Sequence, residues 1–357
     1  MIGSLDPDQN EREQRILKET REHGATPEAV RLFRALVLAH YRAHGRDLPW
    51  RQTTDPYRIL VSEIMLQQTQ VERVAVKYPE FIDRFPDFAS LARAPQSDIL
   101  LAWQGMGYNR RALALKRTAE RVVDDYGGRL PTDVETLATF PGIGRATAAA
   151  ICAYAFNMPV AYIETNIRRV FIHFFFQDRE DVRDDEILVL VEQTLDRENP
   201  REWYGALMDY GSILKKRTAN PNRRSASYSR QSRFEGSDRQ IRGRLLALVL
   251  AEGTVTGEEA AARVAADPGR ARRILDDLVR EGFVAESEGT YTCRSGRDDL
   301  DRRRDEGRCD GVADAVRAEC VGLDDRDAVD GDAPVGRPHD DTRPEARPDG
   351  GDGPEIL

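Results

Sequence analysis

Lysine is nearly missing from this 357-residue chain: five of its 53 basic residues are Lys and the other 48 are Arg. Arg- and Asp-rich usage fits either a GC-rich genome or a high-salt habitat, and composition does not separate the two. Cysteine is scarce as well. Cys152, Cys293, Cys309 and Cys320 show neither a C-x-x-C nor another metal spacing, and they read as unpaired thiols in a reducing compartment. There is no apolar run of the roughly 18 residues that a membrane span requires. The N-terminus, MIGSLDPDQNEREQRILKE, lacks the apolar stretch of a secretory signal. The expectation is a soluble, cytoplasmic protein. Period-2 alternation is almost absent before residue 282, which excludes a β-rich first half.

The composition, 40% hydrophobic and 32% charged with a mean hydropathy of -0.58, allows two or three domains with very polar surfaces. The formal net charge of -9 belongs to the end of the chain, since Arg297–Leu357 holds 19 Asp/Glu against 10 Arg. The rest is neutral, with one local excess. Gly211–Arg244 carries ten Lys/Arg, Lys215, Lys216, Arg223 and Arg224 among them, against only Glu235 and Asp238. A segment of +8 in a neutral body points to a polyanion.

Helical periodicity starts at Pro27, where Val30, Phe33, Leu36, Val37 and Tyr41 share a face. Proline-punctuated helices are predicted over 56–78, 79–84, 88–93, 97–102, 110–126, 134–139, 145–156, 165–175, 184–194 and 201–215. Residues 219–237 have little apolar content and read as an extended basic connector. Helices at 239–251, 256–265 and 269–281, then a hairpin of 283–287 with 290–294, outline a winged helix. Beyond residue 295 the chain cannot bury enough apolar surface to order itself. The expected fold class is mainly α. Its parts are a charged extension (1–26), an all-helical domain (27–218), the connector (219–237), a winged-helix-like unit (238–295) and a disordered acidic tail (296–357).

The strongest local signal is Phe140-Pro141-Gly142-Ile143-Gly144-Arg145, between an apolar helix and an Ala-rich one. Two glycines around one apolar residue permit a tight turn whose amides, at a helix N-terminus, suit a DNA phosphate. An ordinary hairpin between helices needs one glycine, not two.

With this turn the chain resembles the helix-hairpin-helix DNA glycosylases, and within them the A/G-specific adenine glycosylases of the MutY type. The resemblance covers roughly residues 26–217. It is carried by Leu48-Pro49-Trp50-Arg51 with Asp55-Pro56-Tyr57, Ser62-Glu63-Ile64-Met65-Leu66-Gln67-Gln68-Thr69-Gln70, Gly105-Met106-Gly107-Tyr108, the turn itself, and Ile163-Glu164-Thr165-Asn166-Ile167-Arg168-Arg169. It implies a monomeric enzyme of base excision repair that acts on double-stranded DNA with a mispaired or damaged base. Glu63 would be the acid that protonates the purine ring at N7; outside the motif, a Glu paired with an Arg on a helix face would be the plain reading. Gln67 and Gln68 would enter the stack, Tyr108 would wedge beside the lesion or be a core residue, and Arg51 and Trp50 would shape the base pocket unless Trp50 is core. Pro141, Gly142, Ile143 and Gly144 would hold phosphate, and Asn166, two residues after the second acid, would contact DNA.

The chain departs from the family in four places. Where the family has Asp followed by Gly, this sequence has Glu164 and Thr165. Glu164 could stabilise an oxocarbenium ion, attack C1′, or merely cap a helix. The Lys of related bifunctional enzymes is Ala146, so a monofunctional enzyme is expected. The family's four-cysteine iron–sulfur loop has no counterpart, since Ala153–Thr292 lacks Cys altogether. Neither a metal nor a cofactor is expected, and Lys215, Lys216, Arg223 and Arg224 would take over phosphate contacts in its place. The large domain that reads 8-oxoguanine is also missing. Removal of adenine opposite guanine or 8-oxoguanine is the leading expectation. The alternatives are a G:T or G:U mismatch glycosylase and a non-catalytic DNA-binding protein.

Overall fold

The computed structural model describes residues 7–229 and 233–294. Helices begin where capping chemistry places them. Helix α1 spans Pro7–His23; α2 (Pro27–His44) opens with Thr26 accepting from the Ala29 amide and Pro27 in its first turn. Asp55 and Pro56 repeat the device at α3 (Pro56–Leu66), where Asp55 accepts from the Arg58 amide. Then come α4 (Val71–Arg84), α5 (Phe88–Arg93), α6 (Gln96–Ala102) and α7 (Arg110–Tyr126). Helices α8 (Val134–Leu137) and α9 (Arg145–Phe156) flank the paired-glycine turn. The larger body ends with α10 (Thr165–Phe175), α11 (Asp184–Thr194) and α12 (Pro200–Arg217).

Two apolar cores divide this body. One gathers α3 to α7 around Trp103 and Phe81; the other gathers Phe33, Phe171, Phe174 and Trp203 from α2, α10 and α12. Alanine-rich α9 faces both, with Ala148 and Ile151 in the first core and Ala149, Ala150 and Ala153 in the second. Small side chains let the two halves approach to backbone distance, and the candidate site forms at this seam.

Three expectations are corrected. The break in 56–84 falls at Gln67–Gln70, not at Pro79, because Gln68 turns left-handed (φ +51°) while Pro79 lies on the exposed side of α4. The first residues, expected as a charged extension with a partly ordered helix, form a packed one: α1 lies on α2 and α10 and buries Ile16 and Glu13. The connector is not extended throughout. Residues Pro221–Arg224 form a 3-10 turn with Pro221 and Asn222 buried, and Val182 and Ser225 pair as a short parallel bridge.

The C-terminal unit comprises α13 (Asp238–Glu252), β1 (Thr254–Thr256), α14 (Gly257–Arg263), α15 (Pro268–Arg280), β2 (Val284–Ser287) and β3 (Thr290–Cys293). Its antiparallel sheet has the order β1-β3-β2, so the expected hairpin gains a third strand. β1 is three residues long, too short for alternation to show in sequence. The unit packs on α6, and its core is continuous with the first core of the larger body. The acidic tail lies outside the described residues. Among those described, no helix is long and apolar enough to cross a membrane, and no cluster of His, Cys, Asp and Glu could hold a metal.

Glu13 ties α1 in place. Its carboxylate meets His173 Nε2 at 2.8 Å and accepts from the Tyr210 hydroxyl and Arg217 Nη1, both at 2.9 Å. Burial works against the charge, but the His173 and Arg217 contacts win and bring the carboxyl down to about 2. A depressed acid contributes stability above its unfolded value and loses it as pH falls through the folded one. Urea titrations should therefore show about 3 kcal/mol of stability lost between pH 4.5 and pH 2, and Glu13→Gln should flatten that slope.

Candidate active site

Two carboxyl groups lie near enough at the seam for the charge of Glu164 to bear on Glu63. Glu63 is carried by α3 between the buried residues Ser62 and Ile64. Burial pushes its carboxyl up to about 8; the charge of Glu164 adds to the rise, and Arg51 opposes it. At neutral pH Glu63 keeps its proton.

Glu164 caps α10. Its Oε1 accepts from the Asn166 amide at 2.6 Å and the Ile167 amide at 2.8 Å, and its Oε2 from Asn166 Nδ2 at 3.2 Å. A capped carboxylate ordinarily sits low, yet burial outweighs the cap and the net shift is upward, with Ile167, Arg169, Asn166 and Arg168 pulling it back part of the way. The pair is asymmetric: amides and two arginines favour the charge on Glu164, so it ionises first and Glu63 second.

Arg51 does not reach out for a base. Its two Nη atoms donate to Asp209 at 2.8 Å each, and Arg46 Nε joins the same carboxylate at 2.6 Å. Burial alone would lift Asp209, but Arg51 and Arg46 hold it below the usual carboxylate range. The arrangement fixes one cation beside Glu63. Asp209 escaped the sequence reading, although an Asp on the apolar face of α12, next to Tyr210, was the available signal. Trp50, 6% exposed and edge-on to Tyr78 at 5.6 Å, is a core residue. Tyr154 and Tyr162 were missed too: both are lifted by burial first and by Glu63 among their neighbours, so phenols line this end of the site.

Beside the acids, three loops are tied together. Gln67 Nε2 donates to the Gly142 carbonyl at 3.2 Å and to Thr147 Oγ1 at 3.3 Å, joining the α3 end to the hairpin. Arg111 is the knot. Its guanidinium, 8% exposed with the rest of the residue, donates to the carbonyls of Ile64 and Met65 at 2.9 Å, to that of Gln67, and to Met106 and Gly107 at 3.1 and 3.2 Å. It thereby fixes two left-handed non-glycine residues, Gln68 (φ +51°) and Tyr108 (φ +44°). Such conformations cost energy and persist only when their surroundings enforce them.

In the turn, Gly142 has φ +73°, and a methyl built on it would come within 2.8 Å of Ala114 Cβ. Only glycine fits. Ile143 is buried beneath, Thr118 Oγ1 donates to the Pro141 carbonyl at 3.2 Å, and the exposed Gly144 caps α9, where a built methyl would meet nothing within 4 Å. Both glycines thus have reasons, of different kinds.

Other candidates are placed elsewhere. Asn166 turns inward: its Nδ2 holds Glu164 and its Oδ1 accepts from Arg169 Nη1 at 2.7 Å, so it orients the acid instead of touching DNA. Gly211 makes room for it, since a methyl there would lie 2.6 Å from Asn166 Cβ. Lys215 and Lys216 are exposed in the last turn of α12, and Arg223 is exposed in the 3-10 turn. Arg224 is spent inside, donating to the carbonyls of Phe176, Gln177 and, at 3.3 Å, Ile172 at the end of α10. Its phosphate role is withdrawn.

Residues 61–192 match the profile of the HhH-GPD superfamily of base excision DNA repair proteins. The chain is 35% identical over 275 residues to an adenine DNA glycosylase of Mycobacterium tuberculosis, covering 70% of this chain and 88% of that protein. It is 34% identical over 272 residues to one from Mycolicibacterium smegmatis, covering 70% and 92%. A thymine/uracil-DNA glycosylase of Methanothermobacter thermautotrophicus is 32% identical over 193 residues, covering 53% and 87%. Among solved structures, a thermostable thymine-DNA glycosylase superposes with a TM-score of 0.50 at 30% identity, covering 56% of this chain and 93% of that one. The chain belongs to the adenine DNA glycosylase family.

The family resemblance implies an iron–sulfur loop after α12, and such a cluster needs thiolate ligands there. Where its loop would follow α12, the segment 218–229 offers amides, hydroxyls and guanidinium groups but no thiolate. Asn222 Nδ2 donates to the Thr165 carbonyl at 3.0 Å, and Arg169 Nε reaches Asn220 Oδ1 at 3.4 Å. The segment thus fastens to the start of α10, one residue from Glu164.

Substituting Gly142→Ala in this glycosylase should cost about 1–3 kcal/mol of stability through the Ala114 clash and the left-handed φ. Duplex affinity measured by anisotropy should fall with it, whereas Gly144→Ala should leave the melting temperature nearly unchanged.

Proposed function

We propose that this chain hydrolyses the N-glycosidic bond of adenine mispaired with guanine or 8-oxoguanine, as a monomer and without an iron–sulfur cluster, and leaves an abasic site. The single observation that supports the reading is the pair of acids: burial pushes the Glu63 carboxyl up to about 8, and Glu164, whose charge reaches Glu63, is held by the Asn166 and Ile167 amides. Excision of a purine needs both a proton on the departing base and a negative charge near the sugar.

The steps balance simply. Glu63 gives its proton to N7 of the extruded adenine, so the C1′–N9 electron pair leaves with a neutral base. Positive charge develops at C1′, and Glu164 offsets it electrostatically, held in place by the Asn166 and Ile167 amides. Glu63, now a carboxylate, takes a proton from the water that adds to C1′. The Asp209–Arg51 ion pair sets the field around Glu63, and the turn at Gly142–Gly144 takes a backbone phosphate. The exposed Lys215, Lys216 and Arg223 add sequence-independent attraction.

No Schiff base is expected. Ala146 offers a methyl where related enzymes carry a Lys. Lys116 is engaged by the Ala92 carbonyl at 2.7 Å and by Glu120 at 2.9 Å. Borohydride in the presence of substrate should trap no covalent adduct. A second reading, excision of thymine or uracil opposite guanine, is favoured by the likeness to the thermostable thymine-DNA glycosylase.

Single-turnover assays on A:8-oxoG, A:G, T:G and U:G duplexes, with alkali to reveal abasic sites, distinguish these. Adenine release is expected to dominate, and Glu63→Gln should abolish it, a loss of at least about 10³-fold. Because the protonated form of Glu63 is the active one, the rate should fall as pH rises through about 8. A rate that is flat from pH 7 to 9 would remove Glu63 from the role of proton donor.

A further inference from the structure

The small C-terminal unit does not hang free of the larger body. Gln96 Nε2, at the start of α6, donates to the Gly282 carbonyl at 2.8 Å. Glu281 accepts from Arg110 of α7 at 2.6 Å and from Arg242 of α13 at 2.6 and 2.9 Å. Arg239, in the first turn of α13, donates through Nη1 to the Tyr108 hydroxyl at 3.3 Å. These contacts converge on the loop that carries Tyr108, the one Arg111 ties to the end of α3.

Tyr108 is held at both ends. Its carbonyl accepts from Arg111 Nε at 3.4 Å, its ring packs 5.6 Å from the same guanidinium, and its hydroxyl meets Arg239. Its backbone is in the left-handed region, which a tyrosine adopts only under constraint. The side chain is half-buried. A base that leaves the duplex leaves a gap, and a flat side chain with a fixed orientation is what fills one. Holding the ring costs rotational freedom before DNA arrives and not during extrusion. The seam also carries the cations Arg110, Arg239 and Arg242, the first and last of them shared with Glu281.

We propose that Arg239 is a positioning residue for Tyr108, so that the C-terminal unit controls how readily the duplex opens at the lesion. This rests on the base-extrusion reading given above. Arg111 fixes the backbone of the wedge and Arg239 fixes its tip; the unit is part of the opening machinery and not a tether for another partner.

The test uses the full chain and two readouts. One is single-turnover adenine release at saturating enzyme. The other is the fluorescence rise of 2-aminopurine placed at the adenine position of an uncleavable 2′-fluoro duplex, which reports extrusion without chemistry. Arg239→Ala should lower both, the rate by about tenfold, with the melting temperature unchanged and Arg239→Lys restoring part of the loss. Tyr108→Phe should reproduce the effect, and the double variant should be no worse than either single one. Wild-type extrusion in Arg239→Ala would overturn the proposal, as would losses that multiply in the double variant or that follow a fall in melting temperature. If the wild-type protein extrudes the analogue but releases no base, the functional reading fails while the role of Arg239 is still decided by fluorescence. Absence of extrusion in the wild type sinks both.

Discussion

Two carboxyl groups placed near one another in a low-dielectric seam cannot both ionise cheaply, and the architecture of this protein is arranged around deciding which one does. The decision is made by backbone and arginine chemistry. Glu164 receives the first amides of α10, while Glu63 lies among apolar neighbours on α3. Each element that touches this pair is secured by a buried polar tie. Asp209 secures Arg51, Asn166 secures Glu164, and the segment after α12 fastens the start of α10 through Asn222. A buried charge that lost its partner would cost several kcal/mol, so these ties hold geometry more than they add stability.

The lack of thiols in the described segment after α12 is therefore less disruptive than it first looks. A cluster would occupy the segment that follows α12; here a 3-10 turn, two asparagines and an inward-facing Arg224 do the fastening. Hydrogen bonds to backbone carbonyls hold this segment against α10. They have an electrostatic consequence. Arg224 is engaged by backbone carbonyls, while Lys215, Lys216 and Arg223 are solvent-exposed.

Much of the helical scaffold was legible from capping residues and periodicity. Arg110–Tyr126, Arg145–Phe156 and Thr165–Phe175 were bounded correctly because Asn109, Gly127, Gly144, Asn157 and Glu164 punctuate them locally, and Asp184–Thr194 begins where Glu186 reaches back to the Arg183 amide. The break at Gln67–Gln70 was not legible. A glutamine shows no preference for φ +51°; Arg111, 43 positions away, imposes it. Proline 79 misled for the opposite reason, since its missing amide falls on the solvent side of α4 and its cost is small. β1 is too short to announce itself, and it forms only because β3 lies beside it.

From the sequence alone came the inventory: an acid in an apolar helix, a second acid at a helix start, a double-glycine turn, and Ala146 where a lysine would change the chemistry. Those follow from residue type and neighbours within a few positions. Only the tertiary structure decided what each one faces. It showed that Trp50 is core, that Asn166 and Arg224 turn inward, and that Arg111 and Asp209 hold the site together. The reason is physical: hydrogen-bond partners and desolvation are set by groups brought together from distant parts of the chain, and no local pattern records them.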